Sequence, residues 1–196
     1  MVESLTGIGK PESSRMQLYG GIVFDPLDPD PDLITIEAIA HALAGIPRFT
    51  AHTNEWYSVA EHSVRVSYAC PPRYAYDALM HDTSEFALFD LASPIKHNSP
   101  LREPYVELED RLMTVLAEKF GFTWPSPPAV KKADAVLLAT ENRDLMSHND
   151  ATRALWDPWL VEAPLTQRIH PVGHRVAERQ FLSRFHTLYT GDDHER

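Results

Sequence analysis

The chain has 196 residues, of which 43% are hydrophobic and 23% charged, a balance typical of one globular domain with a buried core. Lysine and arginine total 18 against 28 aspartates and glutamates, and this net charge of −10 argues against binding of a nucleic-acid polymer, which needs a basic surface. A single cysteine excludes an internal disulfide, and neither a membrane-spanning run nor a signal peptide is visible, so we expect a cytoplasmic protein without membrane contact (host cytoplasm if a virus encodes it).

The predicted elements are almost all helices. Residues 19–24 (YGGIVF) favour a short strand or an extended arm, and the Asp-Pro-rich stretch up to residue 32 excludes a helix. Apolar spacing of three and four residues then predicts helices, with Ser58 as the N-cap of the second and Glu61 as its capping-box partner. The predicted helical ranges are 34–46, 58–70, 74–88, 105–120, 129–146 and 172–189.

These elements predict an all-α fold, a compact bundle of about six helices preceded by a short extended N-terminal arm. We expect a single domain over residues 1–196. Its parts are the arm (1–33), a metal-binding core that carries the candidate ligands described below (34–146) and a C-terminal helical extension (147–196).

Three polar residues stand within the apolar stretch 78–88. On one continuous helix His81 and Glu85 are four residues apart and Asp82 and Glu85 three apart, so their head groups share a strip. Burying two acids and an imidazole is costly without a compensating cation. A strip that simply faces water is the alternative, and the apolar residues on both sides argue against it.

Two further residues lie on the apolar faces of their helices. His62 follows the inward stripe of the helix 58–70, where a histidine bonded to a backbone carbonyl is the alternative to a ligand. Asp134 shares a face with aliphatic residues and is therefore expected to point inward. Because an aspartate is almost never buried unpaired, we expect it to have a partner there. Lys131, at the edge of that face, is its alternative partner.

Together these positions offer two imidazoles and two carboxylates from three helices. Such a set neutralises one divalent cation and leaves coordination positions open for water and substrate. A nitrogen and oxygen ligand set without thiolate fits Mn, Co, Fe, Zn or Mg. The residues therefore predict a helical metallohydrolase whose ligands are His62, His81, Asp82 and Asp134.

Four segments extend this pattern: SVAEHSV (58–64), HDTSE (81–85), DLASPIK (90–96) and KAD (132–134). In content and order they resemble the HD superfamily of metal-dependent phosphohydrolases, in particular bacterial HD 5′-deoxynucleotidases and phage dATP-directed triphosphohydrolases. The resemblance spans roughly residues 34–145. It implies an HD-domain helical bundle that removes phosphate from 5′-(deoxy)nucleotides, with dATP the first substrate to test and di- or monophosphates next, and it implies a homo-oligomer.

The resemblance also implies roles for individual residues. Glu85 matches the family acid that orients or activates the attacking water. Asp90 matches a second acid near the bridging and leaving oxygens, which either protonates the departing oxygen or binds a second divalent metal ion if the substrate brings one. Arg48 and Lys96 match residues that contact phosphate. Phe49 stands where relatives often carry Trp against the base or sugar, and its smaller ring lacks the indole N–H donor.

Other residues and functions stay open at this point. Glu141, two turns after Asp134, either lines the pocket or pairs with a nearby arginine or lysine. Trp124, Trp156 and Trp159 are expected in packing or oligomer contacts and not in a base-stacking platform. One alternative function is an HD phosphodiesterase that cleaves a cyclic nucleotide or a guanosine alarmone, against which the Arg48-Phe49 loop argues by analogy. The other is a non-catalytic nucleotide-binding regulator, against which Glu85 and Asp90 argue.

Overall fold

The computed structural model describes residues 14–190, so residues 1–13 of the expected arm and 191–196 of the expected extension lie outside the described range. The described chain is mostly helical, which confirms the all-α prediction. None of its helices combines the length and the apolar character that a membrane crossing requires. The helices are α1 (Ile36–Gly45), α2 (Val59–Ala69), α3 (Ala75–Met80), α4 (Glu85–Leu88), α5 (Ser93–Asn98), α6 (Arg102–Phe120), α7 (Pro128–Leu145), α8 (Asp150–Trp156) and α9 (His174–Leu188).

The bundle is preceded by a small hairpin rather than by an extended arm. Strand β1 (Met16–Gln17) pairs antiparallel with β2 (Val23–Phe24). Gly20 and Gly21 form the turn with φ values of 82° and 80°, a region that glycine enters without steric cost. Only the last two residues of the predicted strand are therefore strand, and the rest reverses the chain.

The single helix predicted over residues 74–88 is interrupted, and that part of the prediction is wrong. A 3-10 turn (Pro72–Tyr74) leads into α3, and α4 begins only after residues 81–84. In this gap the backbone bonds run over three residues rather than four, as from Thr83 N to Met80 O and from Glu85 N to Asp82 O. The Thr83 hydroxyl also donates to the Met80 carbonyl at 2.7 Å, so this side chain competes for the acceptor that a regular helix would use.

Two short helices fall where loops were expected, and together with the division of the predicted helix 74–88 into α3 and α4 they bring the helices of the described residues from six to nine. The segment before α6 reads as loop because of its Ser and Pro content, yet its proline lies in the first turn of α5, a position that proline tolerates. Helix α8 begins at a capping box in which Asn149 and Thr152 bond reciprocally. That signal was present in the sequence.

Helix α2 lies at the centre of the molecule. It packs against α1, α3, α7 and α9, and it separates two apolar clusters, one around α1, α6 and α9 and the other around α7. Ser58 caps it as expected by accepting from the Glu61 N–H at 3.3 Å. The expected capping box is incomplete, because the Glu61 side chain bonds Arg65 and the Val172 N–H instead. Because α2 is covered on several sides, its polar residue His62 is fully buried.

Candidate metal centre

Residues from three helical segments meet beside the middle of α2. His62 comes from α2, His81 and Asp82 from the turn after α3, and Asp134 from the second turn of α7. The Nε2 atom of His62 lies 3.6 Å from Asp82 Oδ2, and His81 Nε2 lies 3.1 Å from the same oxygen. One ligand atom from each of these three residues lies within 4.8 Å of the other two, so this group could hold a metal ion.

Both imidazoles turn their Nε2 atoms towards this point, because their Nδ1 atoms have other partners. His62 Nδ1 lies 2.6 Å from Glu141 Oε1, and His81 Nδ1 lies 2.8 Å from the Ala78 carbonyl oxygen. A neutral ring that donates from Nδ1 has its lone pair on Nε2, and a metal ion can take the place of a proton there. Within residues 14–190 both Nε2 atoms are buried and make no hydrogen bond of good geometry. Two such nitrogens beside an aspartate match the donor set of a divalent-cation site.

The charges around the group favour a cation. Burial and Arg48 lower the pKa of His62, but Glu141 and Asp134 outweigh them and raise it to about 9. Burial alone would raise the pKa of Asp82, yet His81, His62 and Arg48 hold it well below its usual range. Asp82 is thus ionised, and the negative charge around His62 favours either a proton or a metal ion on its Nε2 atom.

Asp134 contacts His62 beside this group, but it is not one of the three residues whose ligand atoms lie within 4.8 Å of one another. Its Oδ1 lies 3.2 Å from His62 Nε2, and its side chain is 43% exposed. The expectation that this carboxylate points into an aliphatic interior is therefore wrong: it faces the mouth of the site. Among the described residues its close ionic contact is with His62 and not with Lys131. The position suits a ligand that closes the site towards solvent.

The two candidate catalytic acids lie on and just after α4. Glu85, the first residue of α4, is 8% exposed, and its Oε2 makes no hydrogen bond within the described part of the chain. Burial, reinforced by Asp82 and Asp90, raises the pKa of Glu85 well above its ordinary value. Burial and Asp82 also raise the pKa of Asp90, against the opposing charge of Arg48. Both acids therefore hold a proton more readily than free carboxyls do.

Arg48 reaches the site from a loop between α1 and α2. The loop is closed by a backbone bridge between Pro47 and Ser58, and the Arg48 side chain is only 12% exposed. Its Nη2 lies 3.2 Å from Glu141 Oε2 and its Nη1 lies 3.7 Å from Asp82 Oδ2. The guanidinium therefore lies directly beside a candidate metal ligand.

The other two expected substrate residues have partners of their own. The Phe49 ring lies 5.9 Å from the Trp156 ring, edge to face, and 5.4 Å from the Arg48 guanidinium carbon. Trp156 was expected only in packing or oligomer contacts. Its ring contact with Phe49 places the last residue of α8 beside the Arg48 loop. Lys96 Nζ lies 2.7 Å from Glu109 Oε1. Its contact with phosphate stays a prediction.

Glu141 is the residue whose place the sequence left most open. It is fully buried and bonds Tyr57, His62 and Arg48. The ion pair with an arginine was one of the two options weighed, but the contact with His62 was not expected. Its spacing of seven residues from Asp134 places both on one side of α7, which was the available signal.

Two proteins align with nearly the whole chain. One is "Uncharacterized protein YfdR" of Escherichia coli (strain K12), 36% identical over 159 residues, which are 80% of this chain and 85% of the relative. The other is "Uncharacterized protein RCAP_rcc00048" of Rhodobacter capsulatus, 34% identical over 189 residues, which are 88% of this chain and 94% of the relative. The chain belongs to the YfdR family. No family model matches it.

The alignments with the two relatives of the YfdR family include the candidate metal centre. Each match leaves out at most about a fifth of the chain, so each includes the central stretch from the Arg48 loop to α7. Neither printed name states an activity. The region that bears the candidate metal centre is therefore shared with both relatives.

Proposed function

We propose that this protein is a metal-dependent phosphohydrolase of the HD type that removes phosphate from a 5′-(deoxy)nucleotide. One observation carries the proposal. The buried Nε2 atoms of His62 and His81, which have no hydrogen-bond partner among the described residues, meet Asp82 in a group that could hold a metal ion, and Arg48 lies directly beside this group. The order of the four matching segments supports the HD assignment independently.

The proposed metal ligands are the histidines and aspartates brought together beside α2. His62 and His81 would bind through Nε2, Asp82 and Asp134 through carboxylate oxygens, leaving coordination positions open for water and substrate. A divalent cation held there supplies an activated water near neutral pH and neutralises charge on a phosphate. Without thiolate ligands, Mn, Co, Fe, Zn and Mg are all compatible.

The proposed phosphate-binding residues are Arg48 and, as a second positive charge, Lys96. A chain with a net charge of −10 repels a nucleotide unless positive charge is concentrated at the site. Arginine can hold two phosphate oxygens at once through its planar fork. Because Arg48 already contacts Asp82, a phosphate gripped by its free donors would lie next to the metal ligands.

The proposed acid-base groups are Glu85 and Asp90. Glu85 has a buried, unpartnered carboxylate oxygen that can take the proton of the attacking water. Asp90 would protonate the departing oxygen, and its raised pKa suits it to carry that proton. Direct hydrolysis needs no covalent phosphoenzyme.

The proposed substrate is a single nucleotide, with a deoxynucleoside triphosphate such as dATP favoured. The edge-to-face pair of Phe49 and Trp156 next to Arg48 offers an aromatic surface for a base, a role that the sequence did not predict for Trp156. The expected homo-oligomer and the cytoplasmic location stay predictions.

A nucleotide panel tests the proposal. The protein is incubated with deoxynucleoside tri-, di- and monophosphates, cyclic nucleotides and guanosine alarmones, in Mn²⁺, Co²⁺, Mg²⁺ or EDTA, and the products are identified. Release of phosphate or polyphosphate from mononucleotides, abolished by EDTA, is expected. Cleavage of cyclic nucleotides or alarmones alone would favour the phosphodiesterase, and binding without turnover would favour the regulator.

Two substitutions separate metal binding from proton transfer. His81→Ala should lose both bound metal and turnover, because it removes a ligand atom. Glu85→Gln should keep the metal but lose about 10²- to 10⁴-fold in kcat, the usual contribution of a general base. His41→Ala, at an exposed histidine that contacts Glu178, is the matched control and should change neither quantity. Equal loss of metal in both site variants would contradict the assigned roles.

A further inference from the structure

One buried carboxylate on α7 contacts two of the proposed functional groups at once. Glu141 has no exposed surface, and its two oxygens are divided between partners. Oε1 accepts from the Tyr57 hydroxyl at 2.8 Å and lies 2.6 Å from His62 Nδ1, while Oε2 accepts from Arg48 Nη2 at 3.2 Å. These contacts link α7, α2 and the loop that carries Arg48.

The contact with His62 decides which ring nitrogen is free. A carboxylate can only accept, so the nitrogen that faces it must carry the hydrogen. When His62 is neutral or binds a metal ion, Nε2 on the opposite side of the ring therefore has its lone pair towards Asp82 and Asp134. Carboxylates that hold a ligating histidine in this way fix the orientation of the ring and make it a stronger ligand.

The contact with Arg48 decides where the guanidinium lies. One of its terminal nitrogens is held by Glu141, and the other then lies 3.7 Å from Asp82. A buried carboxylate that accepts a charge-assisted hydrogen bond from an arginine holds that partner strongly.

We propose that Glu141 is a positioning residue that sets His62 for metal binding and Arg48 for phosphate binding. It touches neither the proposed metal nor the substrate and acts through the two side chains that do. The inference rests on the proposed function for its two targets, but its first half requires only that the site binds a metal.

A titration with Co²⁺ alone tests the first half. Each variant is titrated at one pH, and the absorption band of bound Co²⁺ gives the dissociation constant. Glu141→Gln removes the charge at constant shape and should weaken Co²⁺ binding about 10- to 100-fold, the usual cost of losing such a partner. Glu141→Asp keeps the charge and should recover part of the affinity.

Glu61→Gln is the matched control. Glu61 is also a buried carboxylate, it precedes His62 on α2, and it pairs with an arginine, Arg65, but it does not contact the candidate centre. This change should leave Co²⁺ affinity as in the wild type even if it lowers the melting temperature. Tyr57→Phe removes one bond to Glu141 without removing charge, so it should weaken Co²⁺ binding by less than Glu141→Gln and provides the test if Glu141→Gln does not fold.

Steady-state kinetics with a nucleotide at saturating Co²⁺ test the second half, that Glu141 positions Arg48 for phosphate binding. With the metal restored, Glu141→Gln should raise KM more than it lowers kcat, because Arg48 loses its anchor. Unchanged Co²⁺ affinity in a folded Glu141→Gln protein would overturn the inference. A wild type that binds Co²⁺ but hydrolyses no nucleotide would overturn the proposed function while the metal half stands, and a wild type that binds no Co²⁺ would overturn both.

Discussion

At the scale of single residues, Arg48 places a positive charge beside the candidate centre. Its guanidinium lies between Glu141, which is fully buried, and Asp82, whose side chain is 23% exposed. The two contacts use different nitrogens of one planar group, which a lysine ammonium cannot reproduce. The identity of this residue, and not only its charge, is therefore expected to matter.

Arg48→Lys is predicted to raise KM for the nucleotide about tenfold or more with a smaller change in kcat. The reason is the loss of the two-pronged grip on phosphate oxygens. Steady-state kinetics at saturating metal measure the effect. Arg65→Lys, at an arginine that pairs with Glu61 away from the centre, should leave both parameters unchanged. Equal effects of the two substitutions would speak against a phosphate role for Arg48.

At the scale of elements, the loop after α1 combines a functional residue with an unusual backbone. Phe49, Thr50 and Ala51 have φ values of 52°, 50° and 63°, a left-handed region that costs a residue with a Cβ about 1–2 kcal/mol. Strain of this kind persists only where the surroundings hold it, and here the loop is clamped between Pro47 and Ser58. The loop thus presents Arg48 and Phe49 from a rigid base.

Ala51→Gly is predicted to stabilise the protein by about 0.5–1 kcal/mol. Removing the exposed Cβ relieves the strain, which outweighs the greater freedom that glycine gives the unfolded chain. Ala154→Gly, at an exposed position inside α8, should instead cost about 0.5–1 kcal/mol. Urea unfolding of both variants measures the pair. Two losses of equal size would refute the claim of strain.

The segment between α8 and α9 is held by Asp144 at the end of α7. Its carboxylate accepts from Arg143, from Arg168 at 2.6 Å and from the Ile169 N–H at 2.8 Å. The bond from Arg143 first, and then those from Ile169 and Arg168, hold the pKa of Asp144 well below its usual range against the effect of burial. A depressed pKa in the folded state means stability that is present above the unfolded value and lost as the pH falls below it.

Asp144→Asn is predicted to lower the free energy of unfolding by about 1–3 kcal/mol at pH 7, as for charged hydrogen bonds. The deficit should shrink progressively below about pH 4, where the wild-type carboxylate begins to be protonated in the unfolded chain. Urea unfolding at pH 7 and at about pH 3 gives the comparison. Asp150→Asn, at a fully exposed aspartate paired with Arg153, should leave the free energy of unfolding nearly unchanged. A deficit for Asp144→Asn that stays constant with pH would contradict the linkage.

At the scale of the whole molecule, the sequence predicted what local chemistry decides. The long helices follow from apolar spacing with proline and glycine at their ends, and Ser58 caps α2 as expected. The break at residues 81–84 was missed because it depends on the Thr83 hydroxyl competing for a carbonyl, which periodicity does not reveal. Helix α5 was missed because its proline was interpreted as a loop signal.

The candidate centre was predictable only in part, because some of its contacts depend on how the helices pack, which periodicity does not reveal. His81 and Asp82 are neighbours in sequence, and His62 and Asp134 stand out as polar residues in apolar helices. The contacts of Glu141 with Arg48 and His62 join residues 93 and 79 positions apart, and only the packing of α7 against α2 brings them together. The exposure of Asp134 likewise depends on what covers α7.

The central claim is that His62, His81, Asp82 and Asp134 bind one divalent cation. Anomalous diffraction from crystals soaked in Mn²⁺ or Co²⁺, collected on both sides of the metal absorption edge, tests it most directly. The account predicts one peak about 2.0–2.3 Å from both Nε2 atoms and from an oxygen of each aspartate, and no such peak in His81→Ala crystals soaked in the same way. A wild-type map without a peak between the two imidazoles, or with the metal bound only elsewhere, would contradict it.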